Sequence, residues 1–159
     1  MQFLTESECT KWMADRGRSR PTSANSAFTE RIWFPKEAPR VCGWARQIAG
    51  KMLEHREPCL LWIDEWGIWG ESLTHLYYRL RESYGDRRLL ADAPGHLFLG
   101  YEAEDLASYL QIAMLQGWGG LMLTHYDYFN ASFSHDGFLD VYASEESSFQ
   151  SLLESISLE

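Results

Sequence analysis

Past Arg88 the chain contains no lysine and no arginine, although eleven Asp or Glu residues lie between position 89 and the end. Ten of the fourteen basic side chains fall within the first 57 residues, so charge is strongly polarised along the sequence. A surface of one sign attracts partners of the opposite sign and repels those of its own. The asymmetry therefore favours a cationic partner.

The net charge of -9 has the wrong sign for binding phosphate groups. Proteins that bind nucleic acids or anionic membranes neutralise phosphates with clustered Lys and Arg. We therefore expect no nucleic-acid partner and no association with membranes.

Cysteines are few and apolar runs are short. Cys9, Cys42 and Cys59 are odd in number and far apart, which argues against a disulfide framework and is typical of buried thiols in a reducing compartment. No run of eighteen apolar residues occurs, and the first ten residues lack the apolar segment of a signal peptide. We expect a cytoplasmic protein that needs no cofactor.

Enough apolar material is present for one core, because 45% of the 159 residues are hydrophobic and 14% are aromatic. We therefore predict a single globular domain over residues 1–159. Residues 17–29 begin with a basic, Ser-rich stretch, which is typical of a mobile loop.

Helix and strand patterns alternate along the first two thirds of the chain. Thr5 and Glu8 form a capping box for a helix that ends before Gly17. Residues 39–54 carry an apolar stripe at helical spacing, and residues 59–63 form an apolar run typical of a strand covered on both faces. Similar patterns predict strands at 31–34, 96–101 and 121–125, and helices at 72–85, around 106–114 and around 149–156.

A hairpin is predicted around His135, Asp136 and Gly137. If these three residues form the loop, Phe133 lies opposite Leu139, each strand has one apolar face, and Gly137 takes the position that needs a positive φ. The paired strands are residues 129–134 and 138–143.

These patterns predict a mixed α/β layered domain with helices packed on a sheet. We expect parallel crossovers, such as one that joins strands 31–34 and 59–63 through helix 39–54, followed by a C-terminal antiparallel hairpin. The alternative is an α+β fold in which most strand pairs are antiparallel.

The segment 60–69 combines three tryptophans with an acidic pair. Asp64 and Glu65 follow an apolar strand, and ligands of open α/β sheets bind beyond the carboxyl ends of strands. Trp66 and Trp69 are candidate anchors for a partner, because exposed tryptophans dominate binding hot spots, and burial in the core is the alternative.

Six residues of this segment, an apolar strand that ends in Asp64 and Glu65, resemble the metal-holding and water-activating strand of P-loop ATPases. Those enzymes also require a glycine-rich phosphate loop that ends in Gly-Lys-Ser or Gly-Lys-Thr. The sequence contains no such loop, so we do not assign ATPase activity.

Two histidines and two aspartates make up a candidate metal site. His125 and Asp127 share one side of an extended strand, and His135 with Asp136 is expected to approach from the hairpin. Imidazole and carboxylate ligands suit Zn, Mn or Fe, so a small metal-assisted hydrolase with Glu65 as its base is one hypothesis. A turn in which the His-Asp pair only caps the backbone is the alternative.

The preferred hypothesis is a small acidic interaction module that binds a basic protein, in the way that an inhibitor or immunity-like protein neutralises a cationic enzyme. The sequence contains no catalytic signature, so we name no catalytic residue, and it indicates no oligomeric state. The predicted binding residues are Asp64, Glu65, Trp66, Trp69, Asp127, Asp136 and Asp140.

Overall fold

The structure is a computed structural model that describes residues 1–22, 26–66, 74–125 and 129–157. The described part contains seven strands and five helices. In chain order they are β1 (Gln2–Leu4), α1 (Glu6–Ala14), β2 (Phe28–Trp33), α2 (Ala38–Met52), β3 (Cys59–Glu65), α3 (His75–Ser83), β4 (Gly95–Phe98), α4 (Ala103–Leu115), β5 (Gly119–Thr124), β6 (Asn130–Ser134), β7 (Phe138–Ala143) and α5 (Glu146–Ser157).

Helix α1 begins with the capping box that the sequence predicts. The Thr5 hydroxyl accepts a hydrogen bond from the Glu8 amide, and the Glu8 carboxylate accepts one from the Thr5 amide at 2.7 Å. Gly17 follows the helix with a φ of +64°, a conformation that glycine adopts without strain. Local chemistry thus determines both ends of this element.

The strands form one sheet in the order β1-β4-β3-β5-β6-β7-β2, and all six strand pairs among the described residues are antiparallel. The predicted single layered domain of helices on a sheet is confirmed, but the predicted parallel crossovers are wrong. Helix α2 leads from β2 at one edge of the sheet to β3 in its middle, so the two strands that it joins are not neighbours. The sequence alternative with antiparallel pairs describes this sheet.

The β6–β7 hairpin has the predicted register, with Phe133 opposite Leu139. Gly137 has a φ of +88°, and its amide donates a hydrogen bond to the carbonyl of Ser134 at 3.0 Å. Alternating apolar residues and one turn glycine were therefore sufficient to predict this register.

Two hydrophobic clusters cover the two faces of the sheet. On one face Leu61 and Ile63 of β3 belong to the larger cluster, together with buried side chains of α2, α4 and α5. On the opposite face, which we call the α1 face, the smaller cluster contains Cys9, Trp12, Met13, Leu60, Trp62, Leu121 and Leu123. Strand β3 is therefore buried on both sides, as its apolar run predicts.

The α1 face changes character on the other half of the sheet. Strands β6, β7 and β2 place partly or fully exposed side chains there, and these include Ser132, Ser134, Asp140, Arg31 and Trp33. The face is thus apolar and covered beside β3, and polar and accessible beside β7.

One boundary and one short strand differ from the sequence prediction. Strand β2 begins at Phe28, inside the predicted loop 17–29, because Phe28 and Ile32 pack against the larger cluster. Strand β1 had not been predicted, since three residues are too few to show a period. The first two residues of the predicted helix 72–85 lie outside the described residues.

Candidate functional site

Asp64 and Glu65 lie at the end of β3, and the strand is irregular there. The register between β3 and β5 shifts between Ile63 and Glu65, which is a β-bulge, and bulges redirect side chains. Glu65 lies opposite Gly119, where an added Cβ would come within 2.4 Å of the Glu65 Oε2. Gly119 therefore leaves the space that the Glu65 carboxylate occupies.

The β6–β7 turn brings His135 to this carboxylate. Its Nδ1 lies 2.9 Å from the Glu65 Oε2, and its Nε2 lies 3.5 Å from the Asp136 Oδ1. The hydrogen bond to Glu65, helped by the charge of Asp136, raises the pKa of His135 above its usual value. The imidazole thus gains a proton more readily than a free histidine.

Asp64, Glu65, Trp66 and His135 line one open depression of about 340 Å³. We call these four residues, together with the neighbouring Asp136, the acidic surface. Four of the predicted binding residues are thus brought together, and a histidine predicted as a metal ligand joins them.

The tryptophans of this segment have different environments. Trp66 is 37% exposed, whereas Trp62 is only 4% exposed and belongs to the smaller cluster. Trp66 is therefore accessible to a partner. Trp69, the other predicted anchor, lies outside the described residues.

Arg20 contacts one end of the acidic surface. Its Nη1 lies 2.6 Å from the Asp64 Oδ2, and its guanidinium carbon lies 5.1 Å from the centroid of a Trp62 ring. The basic first part of the chain thus supplies a counter-charge to Asp64. The sequence predicts a loop at residues 17–29 and does not indicate this contact.

Asp140, another predicted binding residue, lies on the accessible part of the α1 face. Its two carboxylate oxygens accept hydrogen bonds from Arg31 at 2.7 and 2.8 Å. This bidentate pair fixes the orientation of both side chains between β7 and β2.

Trp33 is an exposed aromatic residue that sequence reasoning missed. It is 66% exposed and packs edge-on against Phe138, with ring centroids 5.6 Å apart. A signal was present, because Trp33 has the same strand parity as Thr29 and Arg31 and therefore faces away from the core.

The structure does not bring His125 and His135 together. Leu123 lies opposite Asn130 and Gly120 opposite Phe133, so the two histidines follow opposite ends of the β5–β6 pair, roughly 20 Å apart at 3.3 Å per strand residue. The Arg16 Nε donates a hydrogen bond to the His125 Nδ1 at 3.1 Å.

The four-residue metal site therefore cannot form around both histidines. Asp127 lies outside the described residues. Within the described ranges, no group of three or more His, Cys, Asp or Glu is arranged to hold a metal ion. His135 and Asp136 remain together, but as part of the acidic surface.

A second group of titratable side chains lies deep in the larger cluster. The Tyr77 hydroxyl lies 2.5 Å from the His96 Nε2, and Arg81 donates to that hydroxyl at 2.8 Å and to Asp86 at 3.1 Å. Burial lowers the pKa of His96 to about 3, so its ring is neutral at ordinary pH. These residues connect α3 to the sheet and do not open onto the acidic surface.

Comparisons of this chain with protein-family models, with curated proteins and with solved structures found no significant match. In the part of the chain that the structure describes, no helix combines the length and the apolar character needed to cross a bilayer. Any functional conclusion therefore rests on the site itself.

Proposed function

We propose that this chain is a small acidic cytoplasmic interaction module that binds a basic protein, in the manner of an inhibitor or an immunity-like protein. The acidic surface is the proposed centre of the contact, with Asp140 nearby on the α1 face. The observation that supports this most directly is the shared depression of Asp64, Glu65, Trp66 and His135.

Charge supports this proposal in two ways. The whole chain carries a net charge of -9, which accelerates the approach of a cationic protein and makes the approach sensitive to salt. The Asp64 carboxylate already forms an ion pair with Arg20, and the Glu65 carboxylate already forms a hydrogen bond with His135. A partner's cations would meet carboxylates whose positions are already fixed.

The exposed aromatic residues can slow the dissociation of a partner, which charge alone does not do. Long-range charge mainly sets the association rate, whereas a tryptophan buried in a pocket of the partner slows dissociation. Trp66 at the acidic surface and Trp33 at the sheet edge are both exposed enough to act in this way.

The experiment compares two variants, one with four carboxylates neutralised at the proposed site and one with four carboxylates neutralised elsewhere. The site variant is Asp64→Asn, Glu65→Gln, Asp136→Asn and Asp140→Asn. The control variant replaces Glu37, Glu54, Glu82 and Glu104 by Gln, which are exposed carboxylates that also contact basic side chains. Both variants remove four negative charges, so net charge cannot explain a difference between them.

Each protein is immobilised and used to capture proteins from a bacterial lysate at low and at high salt. We expect basic proteins to bind the wild-type chain and the control variant at low salt and to be lost from the site variant. For a captured protein, the association rate constant should fall by about tenfold in the site variant. Equal capture by the site variant, or no capture of basic proteins by the wild-type chain, would contradict the proposal.

A further inference from the structure

Three arginines of the segment that follows α1 contact side chains from distant parts of the chain. Arg16 donates a hydrogen bond to His125, Arg18 donates one to Asn130, and Arg20 forms an ion pair with Asp64. Asp64 lies in β3, Asn130 lies in β6, and His125 directly follows β5. The segment therefore lies across the middle strands on the α1 face.

The contact of Arg20 has the two components that recognise a guanidinium group. The Asp64 carboxylate supplies the charge at 2.6 Å, and a Trp62 ring, 5.1 Å from the guanidinium carbon, supplies an aromatic face. Guanidinium groups stack on tryptophan and bind carboxylates more specifically than ammonium groups do. The site therefore favours arginine over lysine.

A cavity lies beside the segment that carries Arg20. The cavity, of about 340 Å³, lies between the segment and strands β6 and β7, lined by Arg18 and Ser19 on one side and by Asn130 and Tyr142 on the other. The side chains of Arg20 and Asp64 are 52% and 23% exposed, so water reaches their ion pair and weakens it. A guanidinium group of a partner can therefore compete with Arg20 for the Asp64 carboxylate.

We propose that Asp64 and Trp62 form an arginine-binding site of the acidic surface, that Arg20 occupies it as an internal competitor, and that an arginine of a basic partner displaces Arg20 on binding. This inference rests on the proposed function and specifies the chemistry of the partner. Because Arg20 is tethered close to Asp64, it competes at a high effective concentration. The partner can bind only when Arg20 has left the site. Its apparent association constant is therefore the intrinsic constant multiplied by the fraction of time that the site is free.

The test compares Arg20→Ala with Arg46→Ala. Arg46 is also exposed and contacts one carboxylate, Glu104, so both variants lose one positive charge and one ion pair with a carboxylate. The probe is a fluorescently labelled nine-residue oligoarginine, with nine-residue oligolysine as the second probe. Binding is measured by fluorescence anisotropy at low salt, and circular dichroism checks that each variant is folded.

We expect Arg20→Ala to bind oligoarginine about threefold to tenfold more tightly than wild type and Arg46→Ala, because the internal competitor is gone. The gain should be smaller with oligolysine, which lacks the planar group that stacks on Trp62. Adding Asp64→Asn to Arg20→Ala should remove the gain.

The two proposals fail in different ways. If Arg20→Ala binds oligoarginine no more tightly than Arg46→Ala, Arg20 is not a competitor and this inference is overturned. The proposed function survives that result if the four-carboxylate site variant still binds oligoarginine more weakly than its control variant. If the site variant and its control bind equally, both proposals are overturned.

Discussion

His135 and Glu65 are joined by a hydrogen bond of 2.9 Å, although seventy positions separate them in the sequence. The bond connects the β6–β7 turn to the end of β3 and so holds the two sides of the acidic surface together. Both side chains are partly exposed, so we expect the bond to affect the titration of His135 more than the stability of the fold.

The first prediction concerns the pKa of His135. Nuclear magnetic resonance titration of its ring protons should give a pKa above the usual 6.5, and Glu65→Gln should lower it toward that value. Glu54→Gln, which removes a distant carboxylate, should leave it unchanged. Because the folded pKa is raised, the stability contributed by this contact is complete below pH 6.5 and is lost as the pH rises through the folded pKa. An unperturbed pKa in the wild-type chain would contradict the geometry.

The second prediction concerns His96, whose contribution to stability changes with pH in the opposite direction. Its pKa is lowered to about 3 by burial, so between pH 6.5 and 3 the unfolded chain binds a proton that the folded chain does not. This stability is complete above pH 6.5 and decreases as the pH falls. Between pH 7 and pH 5 the loss should be about 2 kcal/mol, from 1.36 kcal/mol per pH unit below pH 6.5. Urea unfolding at both values measures it, and a His96→Gln variant should lose less over the same interval.

The third prediction compares two arginines of the α3 region. Arg81 is completely buried and contacts Asp86 and Tyr77, whereas the side chain of Arg87 is 83% exposed and contacts Glu82. Arg88 also pairs with Asp86, so Arg81→Ala does not strip this carboxylate of every cation. The variant removes a completely buried side chain with the hydrogen bonds that it donates to Tyr77 and Asp86, and it should lower the free energy of unfolding by about 3–5 kcal/mol. Arg87→Ala should change it by less than about 0.5 kcal/mol. Equal effects in chemical denaturation would show that the buried network does not stabilise α3.

The fourth prediction uses two glycines. An added Cβ at Gly120 would lie 2.3 Å from the carbonyl oxygen of Trp62, and a backbone atom cannot move aside without disturbing the pairing of β3 and β5. Gly120→Ala should therefore destabilise the protein by at least about 2 kcal/mol. Gly50 lies within α2 with open space around it, so Gly50→Ala should stabilise by about 0.5–1 kcal/mol. Thermal unfolding of both variants measures the contrast, and a Gly120→Ala variant as stable as wild type would contradict the packing.

The elements that local chemistry specifies could be predicted from the sequence. The capping box at Thr5 and Glu8 determines where α1 begins, and Gly137 with the alternation around Phe133 determines the hairpin register. The order of strands in the sheet could not be predicted in this way. It depends on which apolar faces meet across the sheet, and no local pattern reports that β3 pairs with β4 and β5.

The same difference between local patterns and long-range contacts explains why only part of the candidate site could be predicted. Asp64, Glu65 and Trp66 are neighbours in the chain, so the local composition was enough to select them as candidates. The approach of His135 to Glu65 and of Arg20 to Asp64 depends on contacts between distant segments. His125 and His135 are far apart because β5 and β6 pair in the antiparallel direction. The positions of the two histidines in the sequence do not show how these strands pair.

The central claim is that cationic partners bind at the acidic surface and not at the other carboxylates of this chain. The most direct test is a titration of ¹⁵N-labelled wild-type protein with nine-residue oligoarginine at low salt, followed by nuclear magnetic resonance. We expect amide shifts to concentrate at Asp64, Glu65, His135 and Asp136, and to shrink as salt is added. Shifts of equal size around the control carboxylates Glu37 and Glu104, or none at the acidic surface, would contradict the claim.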